Sequence, residues 1–272
     1  MPWAIRGLRN GILTTRYPRR PDPYADTFPA RVTLQPHVET TDTAALPELC
    51  PTGAITTDRD GLLVLDQGAC ILCGACVRTR PDLFAYQPGA ETAALDRTAL
   101  TVPRLAETDQ AIAAVRDRLD VRVKALRRSV HIRHVDAGSD GAEEWEIQAL
   151  LGPVYDIHRL GIFITASPRH ADILLVTGAG SHGMAAPLRR TLDGMPNPTI
   201  VIAAGTDAIS GGIIAPSYAV ESGIGNLVPV DVWVPGSPPS PFSLLHAILL
   251  ALGRLPAHAH HPSPDAPSGR PR

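Results

Sequence analysis

Four cysteines carry the metal or redox chemistry open to this chain: Cys50, Cys70, Cys73 and Cys76. The last three form the run Cys70-Ile-Leu-Cys73-Gly-Ala-Cys76, which puts three thiolates on one tight loop. That spacing lets three sulfurs reach three iron corners of a single cubane, and soft thiolates suit iron–sulfur better than hard cations. The small pair Gly74-Ala75 lets the backbone come close and aim N–H groups at the sulfides. A zinc site built from the same four residues is the competing reading. In a reducing compartment, four cysteines are metal ligands before they are disulfides.

The fourth ligand decides the count. In bacterial ferredoxins each Cys-x2-Cys-x2-Cys run is followed by a Cys-Pro that ligates the other cluster. Here that place holds Arg80-Pro81. Upstream, Cys50-Pro51-Thr-Gly-Ala-Ile55 resembles the Cys-Pro end of a first motif, and the three ligand positions before it hold Thr40, Thr43 and Leu46. Three ligands are gone on one side and one on the other. Cys50, Cys70, Cys73 and Cys76 remain as a complete set for one [4Fe–4S] cluster, with no sulfur left over.

The elements that must position these residues can be read in order. Residues 1–35 form a basic amphipathic leading segment: five arginines fall within the first twenty positions, no acid precedes Asp22, and Trp3, Ile5, Leu8, Ile12 and Leu13 recur at roughly helical spacing. Such a helix can lie in the headgroup region of a bilayer or dock on a partner. Residues 36–100 hold the cysteines and strand-like pieces such as Gly61-Leu-Leu-Val-Leu-Asp66. Residues 101–128 form a linker helix, with Ile112, Val115, Leu119, Val123 and Leu126 three or four apart. Over residues 129–253, apolar strands at 173–177 and 199–203 alternate with helical segments at 184–192 and 242–252, which predicts an α/β domain with a parallel sheet. Residues 254–272, rich in Pro, His and Ser, read as a disordered tail, and His246, His258, His260 and His261 read as no metal site.

Composition excludes other classes. The net charge is only −2, so a nucleic-acid binder is not expected. The most apolar stretch, 199–217, is interrupted by Asp207 and three glycines and reads as buried core, so no membrane span is expected. Arg19-Arg20 is followed by Pro21-Asp22-Pro23 and not by an apolar run, which excludes a twin-arginine signal. The chain is expected in the cytoplasm.

Several short motifs carry a resemblance. The segment Arg6-Gly-Leu-Arg-Asn-Gly-Ile-Leu-Thr-Thr-Arg-Tyr-Pro18, with the cysteine motifs, resembles the ferredoxin-like subunit of complex I and of membrane-bound group 4 [NiFe] hydrogenases. Residues 130–252 resemble the small subunit of the same complexes, of the formate hydrogenlyase type. They do so through Tyr155-Asp-Ile-His-Arg-Leu-Gly161, Ser167-Pro-Arg-His-Ala-Asp-Ile-Leu-Leu-Val-Thr-Gly178, Pro187-Leu-Arg-Arg190, Met195-Pro-Asn-Pro198 and Pro229-Val-Asp-Val-Trp-Val-Pro-Gly236. The chain looks like a fusion of two neighbouring subunits. The resemblance implies an α+β ferredoxin-like domain followed by an α/β flavodoxin-like domain. It also implies a large-subunit partner, docking beside membrane ion-translocating subunits, contact of residues 1–20 with the membrane surface, and a peripheral place on the cytoplasmic face of the inner membrane. His158, Arg159, Arg169 and His170 lie in these motifs and are expected to fix loops and the partner interface. The glycines of 178–180 and 211–212 form no full dinucleotide fingerprint and read as turns.

Within that resemblance one feature departs. The family's small subunit holds its own [4Fe–4S] cluster, and its four ligand positions align here with Asp140, Glu143, Asp207 (or an immediate neighbour) and Ser237. Carboxylates and a hydroxyl are poor cubane ligands. Asp140, Glu143 and Asp207 would suit a hard cation if their loops converge, or would fill a vacated pocket with hydrogen-bonded polar groups. The expected role is a structural and coupling subunit that keeps one cluster and has lost the terminal relay. The alternatives are an electron-transfer subunit of a hydrogenase-like oxidoreductase working by another route, and non-redox chemistry at the remodelled acids. No catalytic residue is assigned.

Overall fold

The computed structural model describes residues 3–22, 24, 27–35, 45–103, 117 and 129–255. Of the linker helix expected over 101–128, Thr101 and Val102 form a strand instead, while 104–116 and 118–128, all but two residues of the tail, and positions 40 and 43 lie outside the described residues.

Two β structures organise the cysteine-bearing part. Strand β1 (Arg31–Leu34) pairs antiparallel with β4 (Phe84–Gln87). Strands β2 (Ile55–Thr57), β3 (Leu63–Asp66) and β5 (Thr101–Val102) form an antiparallel three-stranded sheet. The strand read at 61–66 is thus two residues shorter, because Asp58 and Gly61 close the β2–β3 turn first: Asp58 accepts from the N–H groups of Asp60 and Leu62. Val32, Leu46, Ile55, Leu65, Leu83 and Phe84 fill a small core with Cys76 at its edge. Area of this size stabilises only modestly, so docking on the larger domain matters.

The second half is a five-stranded parallel sheet in the order β10-β9-β8-β6-β7. Its strands are β6 (Val130–Asp136), β7 (Ile162–Ile164), β8 (Ile173–Thr177), β9 (Ile200–Ala204) and β10 (Val232–Val234). Numbered within the sheet this is 2-1-3-4-5, the flavodoxin-like order. Every residue of β8 and β9 is buried, as a strand covered on both faces requires. Alternate side chains serve opposite layers. Ile173 and Leu175 face a core shared with the helices α3 (Ala142–Ala149) and α6 (Pro241–Ala251). Leu174 and Val176 face the helices α4 (His182–Asp193) and α5 (Thr206–Ser210). The remaining helices are α1 (Trp3–Asn10) and the five-residue α2 (Ala75–Thr79).

The stretch expected to stay buried to 217 surfaces early. Positions 200–212 are largely buried, but Ile213 and Ile214 emerge after α5. The leading segment divides in two. Helix α1 buries none of its residues, whereas Thr14, Thr15, Tyr17 and Phe28 pack on the α/β domain. Tyr17 and Phe28 meet Phe242 edge-on, the Thr15 N–H donates to the Val154 carbonyl, and the Arg159 guanidinium donates to the Tyr17 carbonyl at 2.7 Å. Helix α6 is buried all round, and this strap is part of its cover. Among the described residues no helix is long and apolar enough to cross a membrane.

Candidate functional site

All four cysteines line one recess, together with Val32, Leu49, Ile55, Leu65, Ile71 and the 74–76 backbone. Cys76 is buried, Cys50 and Cys70 are half-buried, and Cys73 is exposed; none forms a disulfide. The loop that gathers them needs two left-handed residues, Leu72 (φ 55°) and Gly74 (φ 71°). At Gly74 a Cβ would stand 2.3 Å from the Tyr86 hydroxyl, which itself donates to the Leu72 carbonyl. Gly74 is therefore required by shape as well as by φ. From the other side, the Ala54 N–H donates to Cys50 Sγ at 3.2 Å, and the Thr52 hydroxyl lies 3.4 Å from the same sulfur.

Burial pushes the Cys70 thiol up to about 12, with the other three cysteines adding to the shift, and Cys76 moves the same way for the same reasons. Four thiolates cannot share this recess without a compensating positive centre. The donor set fits a [4Fe–4S] cluster: four free soft ligands, an apolar surround and backbone N–H groups aimed at sulfur. Among the described residues no group of three or more His, Cys, Asp or Glu is arranged around a single metal ion.

The second cluster of interest lies at the C-terminal ends of β6 and β8, the switch point where such sheets bind ligands. Gly138 and Gly178 meet there with positive φ; a Cβ on Gly178 would stand 2.5 Å from the Gly138 carbonyl carbon and the Ser139 nitrogen. Of the four positions singled out in the sequence, Glu143 is buried, Asp207 half-buried, and Asp140 and Ser237 exposed. Glu143, Asp140 and Asp207 are near enough to act on one another electrostatically. Burial, opposed by its own backbone N–H and reinforced by Asp207, Asp140 and Glu144, pushes the Glu143 carboxyl up to about 7. Ser237 lies on a cavity of about 260 Å³ lined also by Ile71, Leu72 and Glu146, and its neighbour Gly236 accepts from the Thr206 N–H at 2.7 Å, next to Asp207.

A hydrogen-bonded network here was not singled out in the sequence. The Thr177 hydroxyl donates to Glu144 Oε1 and lies 3.0 Å from His134 Nε2, while the Ser139 hydroxyl donates to Glu144 Oε2 at 2.9 Å. Desolvation lowers the His134 pKa against the pull of Glu144. The signal for it was strand order, since Thr177 and His134 meet only once β8 lies beside β6.

The two sites touch. The Thr206 hydroxyl, at the start of α5, donates to the Cys70 carbonyl at 3.1 Å. Gly68 is wedged between Arg97 and Ile209, and Arg97 binds Asp66 through both guanidinium nitrogens. Ala94 and Trp233 exchange backbone hydrogen bonds at 2.9 and 2.8 Å. Arg159 is the loop anchor already described, and His158 stacks on Phe163. Arg169 and His170 are exposed in a 3-10 turn.

Comparison with known proteins follows from this geometry. The family of the NADH ubiquinone oxidoreductase 20 kDa subunit matches residues 141–251. Formate hydrogenlyase subunit 7 of Escherichia coli is 40% identical over 168 residues, 62% of this chain and 65% of that protein, so the chain spans just under two thirds of that relative. A probable membrane-bound hydrogenase subunit (mbhJ) of Pyrococcus furiosus is 40% identical over 144 residues, covering 52% of this chain and 86% of the relative. An uncharacterized protein of Methanocaldococcus jannaschii is 40% identical over 123 residues, 45% of this chain and 82% of its own length. Among solved structures, a chain of the membrane-bound sulfane sulfur reductase, an archaeal respiratory membrane complex, aligns with 28% identity and a TM-score of 0.44 over 49% of this chain and 74% of that one. The family match and the 40% identity to the Pyrococcus furiosus subunit over 86% of its length agree: the chain belongs to the NADH ubiquinone oxidoreductase 20 kDa subunit family.

Proposed function

We propose that this chain is an iron–sulfur subunit in the peripheral arm of a membrane-bound complex related to complex I and group 4 [NiFe] hydrogenases. In this reading it joins a ferredoxin-like domain to the family's small-subunit domain and holds one [4Fe–4S] cluster through Cys50, Cys70, Cys73 and Cys76. The cluster, when bound, supplies one-electron storage. The protein's own contribution is to gather the sulfurs, shield Cys76 and Cys70 from water, and donate the Ala54 N–H to Cys50.

One observation carries the reading: every cysteine of the chain lines one recess, while the positions aligned with the family's cluster ligands hold Asp140, Glu143, Asp207 and Ser237. Tetrahedral zinc, with Zn–S near 2.3 Å, needs sulfurs about 3.8 Å apart. A cubane needs them wider, so metal analysis separates the two. Without a second cluster at the switch point, the electron path to a large subunit is broken, which favours a structural and coupling role. Large apolar side chains on the elements after the strand C-termini support a protein partner there: Trp145 is 73% exposed and Tyr218 is 95% exposed. The partners proposed are a large-subunit homologue and ion-translocating membrane subunits, on the cytoplasmic side of the inner membrane.

Exposure of Cys73 favours a second reading, in which the single cluster exchanges electrons with a soluble carrier at the surface. Purification of the whole complex from membranes, followed by assays of hydrogen evolution and quinone reduction, separates the two. The structural reading expects neither activity above background. Turnover coupled to reoxidation of the cluster would replace it with the second.

A further inference from the structure

The family site at the switch point keeps one group that the structural role leaves unused. Glu143, in the first turn of α3, is only 2% exposed, and its Oε2 has no hydrogen-bond partner. Its other oxygen, Oε1, fills the space beside Gly205 that a Cβ there would take. Gly205 leads into Thr206, which is fully buried and holds the Cys70 carbonyl. A buried carboxyl with an orphaned oxygen is costly as an anion and is relieved by a proton.

The titratable groups that act most strongly on Glu143 are acids. Asp207 faces it from α5, while Asp140 and Glu144 face it from its own loop and helix. Glu144 is occupied by Thr177, Ser139 and the His134 ring. Asp140 is exposed and Asp207 half-exposed, so proton exchange with solvent has acidic intermediaries.

We propose that Glu143 is a proton-binding site whose proton is thermodynamically linked to the charge on the cysteine loop, through the contact that runs from Glu143 to Gly205, Thr206 and Cys70. The inference rests on the proposed cluster at the four cysteines. When one electron would pass from a one-electron donor to the group held by the cysteine loop, one Glu143 carboxylate oxygen takes a proton from hydronium in the solvent: one O–H bond forms on the carboxyl, one breaks in hydronium, and water is left. Oxidation releases both. Burial, which already pushes this carboxyl up to about 7, places the exchange near neutral pH. A position aligned with a lost ligand would then serve as the charge-compensating partner of the cluster that remains.

The sign of the linkage is fixed. Added negative charge on the loop tightens proton binding, so reduction is easier at low pH and the midpoint potential falls as pH rises. Unit charges about 10 Å apart at an effective permittivity of about 20 change an affinity by roughly tenfold, which for one electron is about 59 mV.

The test is a redox titration of the full, anaerobically purified chain, followed by electron paramagnetic resonance from about pH 5.5 to about pH 9. Wild type is expected to lose potential across the window around neutrality, and Glu143→Gln to be flat there. A wild-type potential that is flat, or the same slope in Glu143→Gln, overturns the linkage. If that variant does not fold, infrared difference spectra of wild type with carboxyl-labelled glutamate decide: a protonated-carboxyl band must grow on reduction at neutral pH, and its absence overturns the proposal. A chain without iron overturns the cysteine reading and the linkage with it, whereas iron with a flat potential overturns the linkage alone.

Discussion

Glu143 bears directly on stability as well as on redox behaviour. Its carboxyl is held above the ordinary carboxylate range in the folded chain, chiefly by burial, and Asp207 is raised for the same first reason. A raised carboxyl contributes stability that is complete below the unfolded-state value and is lost as pH rises through the folded value. Urea unfolding of the full chain is therefore expected to show a midpoint that declines between about pH 5 and about pH 8. Glu143→Gln removes much of that decline; an equal decline in the variant would assign it to other groups. Gly74 makes a second residue-level prediction. Gly74→Ala places a Cβ against the Tyr86 hydroxyl in a left-handed backbone, which costs about 1–3 kcal/mol from φ alone. Iron content per chain should fall with it, and full iron retention would contradict the loop geometry. The cysteines, the acids and Gly74 were visible in the sequence because their types are chemically unusual there. The His134–Thr177–Glu144 network was not, since ordinary polar residues acquire meaning only from pairing across strands.

At the scale of elements, period and length carried most of the reading. The apolar run at 173–177 is β8 as expected, and the run at 199–203 is β9 displaced by one residue. The helix expected over 184–192 starts two residues earlier, after Ser181, and ends at Asp193 before Gly194. Its neighbour expected over 242–252 starts at Pro241, where Ser240 caps it by accepting from the Ser243 N–H. What the pattern could not give was strand order, and hence the place where Gly138 and Gly178 touch. That contact yields an element-level prediction. Gly178→Ala adds a methyl 2.5 Å from backbone at positive φ, so it should destabilise the α/β domain by about 1–3 kcal/mol or more. Thermal unfolding measures it, and an unchanged midpoint would mean that the two loops can part freely. The leading segment was legible only by half: helical spacing gave α1, but nothing in the spacing marked Tyr17 and Phe28 as the residues that strap onto Phe242.

Taken whole, the molecule presents two surfaces with unequal prospects. Helix α1 leaves Trp3 88% exposed and Leu8 85% exposed, beside Arg6 and Arg9. A basic helix with an unburied apolar face suits an anionic lipid surface. Co-sedimentation of the full chain with anionic vesicles is expected, weakening with salt and failing in the double variant Trp3→Ala, Leu8→Ala. Unchanged sedimentation of that variant would return α1 to the alternative role of docking on a protein. Trp145, Ile213 and Tyr218 are also exposed, on segments of the α/β domain far from α1 in sequence. Thr206 ties the cysteine loop to the α/β domain, so any charge held by the loop is felt at the switch point.

All of this depends on where the metal sits and how much there is. Iron and acid-labile sulfide determination on the full chain, purified without oxygen and read with Mössbauer spectroscopy, is the most direct measurement. The account predicts about four irons per chain in a single cubane environment, abolished by replacing Cys70. Eight irons in two environments, stoichiometric zinc, or a metal-free chain would contradict it.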